Sequence, residues 1–155
     1  MQISQTHKIV HCFQGAANAV DCDVVSLKNF HRGAFIVAHR GAADTDLVLT
    51  VKEAKTVAKG SAQTVANNVE IYIDADVGTT SDVLVQTTAA KTYTIDTGVA
   101  PDQLVVFEID PDALSAGIDC VYLDDSGGNA SNTVNITFVG VPRYPGYPLA
   151  SAIID

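Results

Sequence analysis

Four histidines, three cysteines and eighteen carboxylates are the residues of this 155-residue chain whose types offer chemistry. His7 and His11 lie in THKIVHCF. On a strand they stand about 13 Å apart at roughly 3.3 Å per residue, too far to share a metal ion without ligands from elsewhere. His31 and His39 have no carboxylate motif beside them. The acidic stretches IDADVGTTSD (73–82) and LDDSGGNASN (123–132) carry the oxygen ligands and glycine that calcium loops use. Neither has EF-hand spacing, and Asp, Gly and Asn are ordinary turn residues, so exposed turns are the preferred reading. Asp124 with Asp125, or Asp110 with Asp112, would have to flank a glycosidic bond to act as a glycosidase pair. Neighbouring turn residues suit that poorly, and the chain has no Trp for sugar stacking.

GxSxG, Walker and GxGxxG patterns are absent. Cys12, Cys22 and Cys120 are odd in number, form no CxxC pair, and follow no basic helix start that would lower a thiol pKa. Buried free thiols of a reducing compartment are expected, with a Cys12–Cys22 disulfide as the alternative. Asn129-Ala-Ser131 and Asn135-Ile-Thr137 fit the glycosylation pattern, but strand and turn roles suit them better. The expectation is a protein that is not an enzyme, with no metal and no cofactor.

The elements that would position these residues are strands. Apolar residues make up 47% of the chain, chiefly Val, Ala, Leu and Ile, which is enough for a single core. Short apolar runs separated by Gly, Asp, Asn and Ser recur throughout, the spacing of an all-β sandwich or jelly roll. Strands are expected at THKIVHCF, with His7, Ile9, His11 and Phe13 on one face, and at 23–28 and 33–40. Ala34 to Ala38 is apolar on both faces, which predicts a central strand covered on both sides. Further strands follow in DLVLTVK, VEIYIDAD, SDVLVQT, KTYTID, QLVVFEID, IDCVYLDD and NTVNITFVGV, about ten in all. The stretch 53–68 also fits helical spacing and is expected to be irregular or briefly helical. In DPDALSAG, Asp110 is placed to cap one helical turn, Pro111 to start it and Gly117 to leave it. The division expected is a sandwich over 1–141 and a proline-rich C-terminal extension or arm over 142–155.

Net charge is −9. Residues 1–60 hold seven Lys/Arg and five Asp/Glu, whereas 61–155 hold two and thirteen. If that division survives folding, one face is near neutral, another is strongly acidic, and opposite patches can guide assembly. An acidic chain is a poor direct ligand for nucleic acid. No run is apolar enough to span a bilayer, and the N-terminus lacks the features of a signal peptide, so no membrane and no secretion by that route are expected.

VSLKNFHRGAFIVAHRG (25–41), LVVFEIDPDAL (104–114) with GIDCVYL (117–123), and the ending RYPGYPLASAIID together resemble a family of small structural proteins of tailed bacteriophages and prophages. The resemblance runs over nearly the full chain and brings no catalytic residues. It implies a virion component made in the host bacterial cytoplasm, above all a capsid decoration or cement protein on the capsid exterior. Its partner would be the major capsid protein, and its state a homo-oligomer, with a trimer favoured. The alternatives are a tail tube, connector or other head-tail component, or a carbohydrate- or host-surface-binding β-sandwich module.

Three of the five prolines fall within 142–155. Pro142, Pro145 and Pro148 favour an extended backbone. Tyr144 and Tyr147 are amphipathic anchors, and Leu149, Ile153 and Ile154 are apolar residues that need cover. Arg143, Tyr144, Pro145, Tyr147, Pro148, Leu149, Ile153 and Ile154 form the candidate interface. The segment either straps across its own sandwich or reaches a neighbouring subunit or the shell.

Overall fold

The structure is a computed structural model in which residues 3–75, 77, 82–144, 149 and 151–153 are described. After one helical turn, α1 (Ile3–Thr6), the chain passes back and forth between two antiparallel sheets. The first contains β1 (Lys8–Ala16), β3 (Phe30–Arg40), β6 (Glu70–Asp74), β7 (Val85–Gln86), β9 (Asp102–Ile109) and β11 (Thr133–Pro142), in the order β1-β11-β3-β9-β6-β7. The second contains β2 (Val25–Ser26), β4 (Leu47–Ala54), β5 (Gln63–Thr64), β8 (Thr92–Ile95) and β10 (Cys120–Gly127). Its order is β2-β10-β4-β5, and β8 lies beyond β5 on the same edge of β4. Pairs β1·β11, β2·β10, β3·β9 and β4·β8 are nested, as when one long hairpin is rolled up. That nesting is a jelly roll, to which β6 and β7 add two strands beyond β9.

Period-two alternation places the core. In β9, Gln103, Val105, Phe107 and Ile109 point inward and the residues between them outward. One inward row crosses five strands through Val10, Phe138, Phe35, Phe107 and Ile71. Leu47, Leu49, Val51 and Leu123 meet it from the second sheet within one continuous core. Burying a side chain of this size contributes about 2–3 kcal/mol, and the sandwich draws on both sheets for it.

Several expectations are corrected. The stretch 53–68 is not helical: β4 runs on to Ala54, a turn follows, and Gln63–Thr64 returns as β5. A bulge between His11 and Phe13 breaks the alternation of β1, so Ile9 and His11 point outward while Phe13 packs against the core. The helical turn at Pro111–Ala113 is of the 3-10 kind, with the Asp110 carboxylate accepting from the Asp112 N–H. It ends before Gly117, which sits left-handed (φ +78°) in the next turn. β3 is central as expected, but only its inner face is covered. Ile36 and Ala34 are half-buried and Ala38 is exposed on the outer side.

Candidate interaction surface

The residues that suggested chemistry are dispersed. His11 and His31 are exposed on β1 and β3, His7 shares a hydrogen bond with Thr6 (2.9 Å), and His39 is buried. Asp124 and Asp125 are consecutive on β10, so they point to opposite faces and cannot flank one bond. Asp124 lies 3.8 Å from Lys52 across the sheet. In the 123–132 stretch Asn132 is fully buried. It accepts from the Ala42 and Ala43 N–H groups and donates to the Ala43 and Thr45 carbonyls, clamping the 42–45 loop. Of 73–82, residues 76 and 78–81 lie outside the described residues. Among the described residues no three His, Cys, Asp or Glu side chains gather where an ion could be held.

The three cysteines are buried free thiols; that of Cys12 donates to the Val10 carbonyl and that of Cys22 to the Asp23 carbonyl. The interaction between the two thiols holds the Cys12 pKa down and, with burial, pushes the Cys22 thiol well above the usual range. A thiol so raised is no nucleophile at neutral pH.

The C-terminal segment is rooted on the 26–30 stretch at both of its described ends. The Arg143 N–H donates to the Asn29 carbonyl and its Nε to the Phe30 carbonyl, each at 2.8 Å. Tyr144 follows immediately and is 78% exposed. Pro142 is the last residue of β11 rather than part of an arm. Farther on, Leu149 is half-buried, Ala152 is buried, and the Ser26 N–H donates to the Ala152 carbonyl (2.7 Å). Ile153 is 42% exposed. Pro145, Tyr147, Pro148 and Ile154 lie outside the described residues.

A second surface is the outer side of the six-stranded sheet. Registers place His11, Thr137, Ile36, Val106 and Tyr72 in one outward row. The row beside it carries Ile9, Val139, Ala34, Glu108 and Glu70, and beyond the other side Ala38 faces Leu104. The centre of this face is apolar, and a groove of about 500 Å³ opens at one end over Ala34, Ile36, Val139 and Val141. The sequence carried the signal, since 34–38 is apolar on both faces. Such a run predicts double cover because an uncovered apolar face reads the same as a buried one.

Neither half of the chain forms a face of its own. In the first sheet β1 and β3 from the basic half alternate with β11 and β9 from the acidic half. The charge division therefore becomes neighbouring strips: Arg32 and Arg40 lie on β3, and Asp102 and Glu108 on β9.

No protein-family model matches the chain, and no curated protein matches it significantly. Among solved structures it is similar to the SPBc2 prophage-derived protein YomS. The likeness has 9% identity and a TM-score of 0.47, over 86% of this chain and 91% of that one. At that TM-score it carries no argument about what the chain does. Among the described residues no helix is long and apolar enough to cross a membrane.

Sequence reasoning missed a group of buried polar side chains: Glu53, His39, Gln103, Thr97 and Asn132. The His39 Nδ1 lies 2.9 Å from the Pro101 carbonyl, which can only accept, so Nδ1 carries the proton. Burial lowers the His39 pKa below its ordinary 6.5, and the bond to Pro101 and the charge of Asp102 only partly oppose this. Unfolded His39 therefore takes up a proton at higher pH than folded His39, and stability falls as pH drops from about 6.5 toward the lowered value. In urea unfolding at pH 7.5 and pH 5, the wild type is expected to lose stability and His39→Gln to lose less. Equal losses would remove His39 as the cause.

Proposed function

We propose that the chain is a structural component of a tailed-phage virion, seated on the outer surface of the capsid as a decoration protein. The observation that carries this reading is the root of the C-terminal segment. Two bonds from Arg143 fix the backbone where Tyr144 emerges, so an aromatic anchor 78% exposed is held out at little entropic cost. The family resemblance of the sequence supports the same class. So does the jelly roll, an architecture that viral capsid domains use, although folds are shared among functions. Many copies on one shell add avidity, so each contact need only be modest.

The test is co-sedimentation with expanded capsids that lack their decoration. Stoichiometric binding is expected, and Tyr144→Ala should weaken it by about tenfold or more with no change in melting temperature. Removing residues 145–155 should also abolish binding. It deletes the Ala152 bond to Ser26, which is expected to lower stability by only about 1–2 kcal/mol and leave the domain folded. A truncated chain that unfolds would make the segment a strap on its own sandwich. Tubes formed by the isolated protein in electron micrographs would assign it to the tail instead.

A further inference from the structure

The outer side of the six-stranded sheet is an apolar face flanked by charge, and its layout is self-complementary. Arg32 and Arg40 stand at the two ends of β3, both exposed. On the adjacent strand β9, Asp102 stands opposite Arg40, and Glu108 lies opposite Ala34, two residues from Arg32. Among the described residues neither arginine makes an ion pair. Glu108 also faces Glu70 across β6, so two carboxylates stand side by side on the surface, a destabilising neighbourhood unless cations approach.

We propose that this face pairs with the same face of a second copy, about a two-fold axis that runs along the strands between β3 and β9. Such an axis lays β9 of one copy over β3 of the other. Arg40 then meets the second copy's Asp102, and Arg32 meets its Glu108, with both contacts repeated by symmetry. The apolar centre, Ile36 with Val106, closes on itself at the roughly 10 Å spacing of packed sheets. With the axis there, β3 lies over the eight-residue β9 and β11 over the five-residue β6, so the overlap is roughly 400 Å² per copy at about 4.8 Å between strands. That is the size of a weak interface, below about 1,200 Å² in total. The pairing is two-fold, whereas the family resemblance implies a trimer. This pairing does not rest on the capsid reading and is tested without capsids.

Sedimentation velocity of the full chain over a range of concentrations tests it. The wild type is expected to dimerise, more weakly as salt rises. Ile36→Glu, at an outward position that leaves the core intact, should weaken the dimer by about 100-fold. Arg32→Glu should weaken it by about tenfold, and adding Glu108→Arg to that variant should restore most of the loss. Circular dichroism melts establish that each variant is folded. A wild type that stays monomeric at about 200 μM, well above the Kd that such a face should give, would overturn the proposal. So would a dimer that Ile36→Glu and Arg32→Glu leave unchanged, or a failure of the charge swap to restore association.

Discussion

Replacing Glu53 by alanine is expected to lower the unfolding free energy by about 3–4 kcal/mol, the cost of breaking a buried charged network. Glu53 lies near the end of β4 and is fully buried. Its carboxylate accepts from the Gln63 amide on β5 (2.6 Å), from the Ser115 N–H (2.8 Å), from the Ser115 hydroxyl, and from the Ala66 backbone. One side chain thus joins β4, β5 and the exit from the 3-10 turn. Burial pushes its pKa up, but the four donors outweigh burial and the net shift is downward. With the folded pKa below the ordinary 4.5, the network's contribution is complete above that pH and is lost as pH falls toward the folded value. Alanine would take the charged acceptor from the half-buried Ser115 N–H and hydroxyl and from the Gln63 amide together. Glutamine keeps the volume but turns an NH₂ toward groups that also donate, so Glu53→Gln should cost nearly as much. Urea unfolding at pH 7 decides it: a loss below about 1 kcal/mol in both variants, the scale of one ordinary hydrogen bond, would sink the network.

The alternation that locates the core also reaches this network. Leu47, Leu49 and Val51 share one face, and the next residue of that period is Glu53. Gly33, Phe35 and Val37 lead in the same way to His39, and Ile109, Phe107 and Val105 lead to Gln103. Each buried polar group is the terminal member of an inward row, where a strand leaves the core and loop backbone supplies partners. Period and polarity together mark such positions, but the partner of His39 lies 62 residues away, and no local pattern encodes that. The strands were legible because alternation is local. The nested pairing is not local, and the bulge in β1 shows only in its register with β11. At the C-terminus, composition indicated an extended, aromatic segment, but its attachment depends on carbonyls of residues 29 and 30, which the composition of 142–155 does not describe.

Phe138→Ala is the other substitution with a large expected effect, about 4 kcal/mol, and its size depends on two glycines. Phe138 lies in the inward row between Val10 and Phe35, edge-on to Phe35 (centroids 5.3 Å apart) and to Phe30 (5.9 Å, 82° between ring planes). Its ring occupies the space beside Gly33 where a Cβ would otherwise stand. A Cβ on Gly140 would come within 2.8 Å of the Phe138 ring and 2.6 Å of Phe30. Neither glycine has a positive φ, so each is required here for space rather than for backbone conformation. Gly33→Ala alone should therefore cost about 2–3 kcal/mol through overpacking. In Gly33→Ala/Phe138→Ala the added methyl enters the cavity left by the ring, and the combined loss should fall short of the sum by at least about 1 kcal/mol. Urea unfolding of the four proteins gives the coupling directly. Additive losses would show that the ring does not rest on Gly33, whereas a double variant no worse than Phe138→Ala would mean that the glycine is there solely to seat it.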